Sequence, residues 1–143
     1  MERTLIILKP DAVKRQLVGK ILSMFEKKGI NICDIKMIRP IQTHIDKHYE
    51  KFLKEDFFTR LVKYMTSGNV IVCVLKGYNV VSAVRKMIGA TDPSKADPES
   101  IRGKYASSYQ ENLIHASDTT DEFNREYIIW FDTDHDNDNK EID

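Results

Sequence analysis

His115, in the stretch NLIHASD (residues 112–118), places an ionisable imidazole between a short apolar pair and a run of small and polar residues. Three chemistries suit it: a core histidine satisfied by hydrogen bonds, a metal ligand, or a nucleophile with one ring nitrogen free and the other held by a partner. A zinc site needs three or four ligands at workable spacing. His44, His48 and His135 are scattered along the chain, and no cysteine lies near His115. For a nucleophile, Ser117 follows closely, and Glu126 reaches the imidazole if the last strand runs beside it. The other residues that break the hydrophobic pattern are few: Lys9 before Pro10, Arg85, Thr91, and Arg102, whose neighbour Gly103 permits close backbone approach. Each has an ordinary reading alone. Lys9 is a solvated lysine at a strand end, Arg85 an arginine snorkelling from the border of an apolar stripe, and Arg102 a loop arginine. Together with the Asn112 amide they form a set of phosphate donors, in which each arginine fork matches phosphate oxygens bidentately. Neither GxxxxGK[ST] nor GxGxxG occurs, so any phosphate is held by side chains rather than by a glycine-rich backbone cradle, and P-loop kinases are excluded.

The elements that must position these groups follow from periodicity. TLIIL (residues 4–8), closed by Lys9-Pro10, predicts a strand buried on both faces, with Asp11 starting a turn. Leu17, Val18, Ile21, Leu22 and Phe25 predict a helix ending at Gly29, where a left-handed residue is wanted. Residues 30–38 predict a second strand with Cys33, Ile35 and Met37 on one face, stopped by Pro40. Ile45, Tyr49, Phe52 and Leu53 mark one amphipathic helix, and Leu61, Val62 and Met65 another. VIVCVL (residues 70–75) predicts the third strand, Val80 to Ile88 a helix ending at Gly89, and YIIWF (residues 127–131) the last strand. Between them, residues 89–104 form a long polar loop, of the kind that is functional or disordered. Two β-α-β halves of this kind predict an α/β domain of the α+β sandwich type: a ferredoxin-like, four-stranded antiparallel sheet with helices packed on it.

Bulk properties narrow the partners. With 143 residues the chain suits one domain, and its 22 basic and 22 acidic residues cancel, so nothing general favours nucleic acid or a membrane surface. Two cysteines make no disulfide framework, and the apolar run after Met1 is too short for a signal peptide or a span; both predict a reducing, cytoplasmic setting. Residues 132–143 (DTDHDNDNKEID) open like a calcium loop, but Asn137 stands where that loop needs glycine and Asp143 where it needs glutamate, so they are expected to be a solvated, mobile acidic tail.

NLIHASD, LKPDAVKRQLVGKIL, HYEKF followed by FF, LVKYMTSG and IRG, in this order and spacing, resemble the motifs of nucleoside diphosphate kinases. The resemblance runs from Thr4 to about Phe131, so residues 1–131 are expected to be the kinase domain and 132–143 the tail. It implies a ferredoxin-like fold and transfer of the γ-phosphoryl of a nucleoside triphosphate to a nucleoside diphosphate, in ping-pong fashion, through a phosphohistidine at His115. It also implies that Glu126 and Ser117 orient that ring, that Lys9 contacts the sugar and the transferring phosphate, and that Asn112 meets the sugar hydroxyl. Tyr49, Arg85, Thr91 and Arg102 would bind phosphates alongside Mg²⁺, which the phosphates and water hold without a dedicated protein ligand. The base would stack on Phe57 with Leu61 below, which accounts for loose base choice, since stacking reads no hydrogen-bond code. Self-assembly is implied as well, with a hexamer favoured over a tetramer.

The chain departs from the family pattern at four single positions and in the long loop, where DPES (residues 97–100) stands in place of PGT-like residues. Ala116 replaces the usual glycine after the histidine, Lys104 the aspartate after IRG, and Asn69 the proline after Ser67-Gly68. Tyr109 stands on the far side of the base, where a smaller aliphatic residue is common.

Overall fold

The computed structural model describes residues 1–131; the acidic tail, with the weighed calcium loop and His135, lies outside the described residues. Four strands, β1 (Glu2–Leu8), β2 (Asn31–Ile38), β3 (Val70–Gly77) and β4 (Ile114–Ala116), form one antiparallel sheet in the order β2-β3-β1-β4. The helices are α1 (Pro10–Lys14), α2 (Val18–Lys27), α3 (Gln42–His48), α4 (Phe58–Met65), α5 (Val80–Ile88), α6 (Ile101–Tyr105) and α7 (Thr120–Trp130).

Both faces of the sheet are covered, which is why β1 and β3 are apolar without alternation. Ile6, Leu8, Ile71, Cys73 and Leu75 pack against Ile21 and Phe25 of α2, Val80, Val84 and Ile88 of α5, and Ile101 of α6. Leu5, Ile7, Val70, Val72 and Val74 face the other way, onto Ile45 of α3, Phe58 and Met65 of α4, and Phe123 and Trp130 of α7. The central strand is thereby fixed in register, since a one-residue slip would exchange two sets of side chains that fill different layers. Gly29 takes φ +76°, the left-handed conformation expected after α2.

Three expectations need correction. Residues 127–131 are not a strand; they complete α7, and the fourth strand is the three-residue β4 that carries His115. Thr119 accepts a hydrogen bond from the Glu122 amide at 3.1 Å and so caps α7, while Phe123, Glu126 and Trp130 lie along its buried face. Cys33 does not share a regular face with Ile35 and Met37, because the ladder with β3 shifts register between Ile32 and Asp34 and Cys33 falls in that bulge. Ile35 and Met37 sit on the sheet edge and stay more than half exposed, at 53% and 59%. The segment expected as loop from 89 to 104 contains a 3-10 turn at Pro93–Lys95 and the start of α6.

Candidate active site

The pocket begins at the end of the central strand. Lys9 follows β1 directly, and its amide donates to the carbonyl of Leu113 at 2.8 Å, which joins it to the segment leading into β4. Rather than being solvated, Lys9 is buried, and its Nζ donates to Asn112 Oδ1 at 2.8 Å. Burial and the nearby Arg102 pull its pKa down to about 8, against a smaller opposing pull from Asp11.

Asn112 and His115 are brought to the same cleft by a backbone kink. Leu113 has φ +78°, and the Ile114 amide donates back to the Asn112 carbonyl at 3.0 Å, closing a tight three-residue turn around a buried side chain. A non-glycine residue there costs on the order of 1–3 kcal/mol, a cost the surrounding packing must offset. Arg102 holds the kink from outside. It is buried in α6 rather than closing an open loop, and it donates to the carbonyls of Asn112 (3.3 Å), Ile114 (2.6 Å) and Gly89 (3.0 Å). Burial, then Arg85, lowers its pKa to about 10, so it stays cationic at neutral pH. Gly103 next to it has the close approach the sequence suggests: a Cβ there would overlap the carbonyl of Asp97.

His115 pairs with Ile7 in the β1 ladder, and its imidazole Nε2 lies 2.9 Å from Glu126 Oε2. Ser117 Oγ donates to the other oxygen of Glu126 at 2.6 Å. The three residues expected to form the ring-orienting set are therefore together, although Glu126 comes from a helix and not from a strand. An ionised carboxylate only accepts, so it fixes the proton on Nε2 and leaves the Nδ1 lone pair free. Burial and the charges of Lys9, Arg85 and Arg102 bring the His115 pKa down to about 3, opposed by Asp118. The ring is thus neutral and nucleophilic across the physiological range. Burial raises the pKa of Glu126, and the His48 and Ser117 contacts partly hold it back.

Arg85, half-exposed on α5, donates to the Ala116 carbonyl at 3.2 Å and pairs with Asp118 at 2.8 Å. A cavity of about 300 Å³ is lined by His115, Lys9, Arg85, Arg102, Thr91 and Tyr49, among others. It continues into a second one of about 490 Å³, which shares Lys9, Tyr49, Thr91 and Asn112 and adds Phe57, Leu61 and Tyr109. Burial and Glu126 push the Tyr49 phenol up, so it remains a donor. A separate cavity of about 550 Å³ near the end of α2 shares no lining residue with either.

Sequence reasoning missed His48 and Arg60. Arg60 lines the aromatic cavity. His48, treated as one of several scattered histidines, is buried, and its ring centroid lies 4.4 Å from that of His115. The signal was its position three residues after Ile45, on the buried face of α3.

One free imidazole nitrogen inside a cationic cleft, joined to an aromatic-walled slot on an α+β sheet, defines a nucleotide-binding domain of the phosphotransferase class. The family model for nucleoside diphosphate kinase matches residues 2–135. A nucleoside diphosphate kinase of Methanocaldococcus jannaschii is 48% identical over 130 residues, covering 91% of this chain and 93% of that protein. One of Saccharolobus solfataricus is 47% identical over 131 residues, covering 92% and 95%. The crystal structure of the nucleoside diphosphate kinase of Encephalitozoon cuniculi superposes with TM-score 0.90 at 39% identity, covering 94% of this chain and 91% of that one. The chain belongs to the nucleoside diphosphate kinase family, and its activity is phosphoryl transfer between nucleotides. No helix among the described residues is long and apolar enough to cross a membrane.

Proposed function

We propose that the chain transfers the γ-phosphoryl of a nucleoside triphosphate to a nucleoside diphosphate in two half-reactions, with the phosphoryl held in between on Nδ1 of His115. The observation that carries this is the 2.9 Å contact between His115 Nε2 and Glu126, which leaves Nδ1 as the unprotonated atom. In the first half-reaction the Nδ1 lone pair bonds to the γ-phosphorus as the bond to the β,γ-bridging oxygen breaks. The diphosphate leaves with that electron pair, and a second diphosphate reverses the step. Phosphoryl transfer asks mainly for positioning and charge stabilisation. Lys9, Arg85 and Arg102 supply the charge in this reading, with Tyr49 and Thr91 as neutral donors. Asn112 and Lys9 face the sugar, while Phe57, Leu61 and Tyr109 take the base. As charge accumulates on phosphorylated His115, Glu126 and Ser117 keep the ring from turning.

A nucleotide kinase of this family generally works with a divalent metal on its nucleotide. Mg²⁺ fits here as a passenger on the phosphates and water, where it would offset their negative charge. Besides Glu126, which is engaged with His115 and Ser117, the cavity wall carries the carboxylates of Asp118 and Glu122, which would face its hydration shell. Self-association, with a hexamer favoured and a tetramer the alternative, belongs to the same reading. It is supported by the exposed apolar edge of β2, and sedimentation equilibrium giving a monomer at micromolar concentration would contradict it.

The direct test is incubation with γ-labelled ATP. Label that is labile in acid, stable in alkali and chased onto added GDP is expected; acid-stable label, or none, contradicts the proposal.

Two further outcomes are expected. Below pH 8 Lys9 is charged before nucleotide arrives; above it, binding must take up a proton, so affinity falls as pH rises, by up to about tenfold per unit, or ~1.4 kcal/mol. KM should therefore climb above about pH 8 while kcat holds, and Lys9→Arg, charged throughout, should flatten the climb. A KM independent of pH in the native protein would contradict this. Tyr109 is 66% exposed at the mouth of the base slot, so it can offer a second stacking surface. Tyr109→Val should shift the ratio of kcat/KM between purine and pyrimidine nucleotides by a few-fold, since base–aromatic stacking is worth ~1–3 kcal/mol. Equal kinetics across bases before and after the change would count against it.

A further inference from the structure

His48 opens the HYEKF stretch, in which only Tyr49 was given a role above, and its ring meets that of the carrier histidine. Its Nδ1 lies 3.0 Å from Nε1 of Trp130. An indole N–H only donates, so Nδ1 must be an acceptor and the imidazole proton sits on Nε2. That Nε2–H faces Glu126 Oε2 at 3.7 Å, the same oxygen that meets His115 Nε2 at 2.9 Å. The planes of the two imidazoles are nearly perpendicular, at 81°. The backbone of His48 is held too: Arg125 of α7 donates to the carbonyls of Lys47 and His48 at 2.9 and 3.0 Å, capping the end of α3. His48 is thus fixed at its ring and at its main chain, both times by α7, the helix that carries Glu126.

Two other readings are weaker. His48, His115 and Glu126 have ligand atoms within 4.8 Å of one another, close enough for a metal ion. A metal on His48 Nε2 would send the ring proton to Nδ1, against the N–H of Trp130. A merely packed core histidine would need no donor aimed at the one carboxylate that orients the carrier. The charged and titratable groups facing His48 are His115, Glu126, Arg125, Lys9 and the Tyr49 phenol, and burial with His115, Arg125 and Lys9 holds it neutral.

We propose that His48 is a positioning residue for the phosphoryl carrier: kept by Trp130 as the Nε2–H tautomer, it braces the His115 ring and the Glu126 carboxylate so that Nδ1 remains the attacking atom. The inference rests on the phosphohistidine reading above. In chemical terms, His48 turns the positive edge of its Nε2–H towards Oε2 from 3.7 Å, beyond hydrogen-bond length, and its ring, packed edge-on against His115, limits rotation of both the carboxylate and the imidazole. Loss of that brace lets the ring turn and present either nitrogen to phosphorus.

The test compares His48→Phe, which keeps a ring but can neither accept from Trp130 nor donate to Glu126, with His48→Gln, whose amide can do both. In His48→Phe, kcat should fall about tenfold or more with KM little changed, the cost of a misplaced reacting group. Nitrogen-15 and phosphorus NMR of the labelled protein should find part of the phosphate on Nε2 of His115, where the native protein carries it on Nδ1 alone. His48→Gln should recover most of kcat and the single isomer. If His48→Phe does not fold, Trp130→Phe, which removes the N–H that sets the tautomer, should show the same two changes to a smaller degree. Native kcat with one isomer in the folded variant overturns the proposal. So does His48→Gln as impaired as His48→Phe, because the role is then packing. Native protein that takes no label overturns the phosphohistidine reading itself, and this inference with it.

Discussion

His115→Ala should lose turnover by at least about 10⁴-fold while still binding nucleotide close to normally. Removing a nucleophile that acts in concert with its partners typically costs that much, because no other group can form the covalent intermediate. Binding should survive because the groups that would meet the phosphates and the base come from elsewhere: Lys9 after β1, Arg85 on α5, Arg102 on α6, Phe57 before α4. Stability should change little, since the His115 side chain is 21% exposed and Glu126 keeps its bond from Ser117. The measurement is steady-state transfer from ATP to GDP beside calorimetric titration with ADP. More than about one per cent residual turnover would show that phosphate passes directly between nucleotides or through another residue, and the two-step scheme would fail.

The parts of the structure legible in the sequence are those whose hydrophobic pattern is set by burial. TLIIL and VIVCVL are unbroken because each strand faces helices on both sides, and the helix from Val18 to Lys27 shows its stripe because it lies on one face only. The error at residues 127–131 has the same root. YIIWF is apolar enough for a strand, and periodicity cannot separate a short buried strand from a buried helical turn. Thr119 with Glu122 three residues later is a capping pair, and Phe123, Glu126, Tyr127 and Trp130 follow helical spacing; those signals outweigh the short run. The true fourth strand is three residues long, with little room for a pattern.

The site was legible by type but not by contact. Side-chain chemistry alone groups Lys9, Arg85, Thr91, Arg102 and Asn112 as phosphate donors, and they do line one cleft. That Lys9 is buried and bonded to Asn112, or that Arg102 spends its guanidinium on three backbone carbonyls, depends on how distant segments meet. The same holds for His48, which reaches His115 only because α3 and α7 pack on the same face of the sheet.

That double duty makes Arg102→Ala the substitution with the largest expected effect on stability. Arg102 as a whole is 6% exposed, and its guanidinium satisfies carbonyls at Gly89, Asn112 and Ile114, two of which flank the strained Leu113. Hydrogen bonds from a charged donor contribute roughly 1.5–3 kcal/mol each, but they are not additive, and removing a buried charge recovers some desolvation. A net loss of about 2–4 kcal/mol follows, which for a domain of this size lowers Tm by roughly 6–16 °C. Arg102→Lys should restore little of it, because a single ammonium cannot reach three acceptors in a planar fork. Arg85→Ala is the control. Its side chain is 43% exposed and its pair with Asp118 is solvent-facing, so it should cost less than about 1 kcal/mol even as it weakens nucleotide binding. Thermal unfolding of the three variants reads the difference. If Arg102→Ala melts within a few degrees of the native protein, then the kink at Leu113 holds itself, and Arg102 is there for the nucleotide alone.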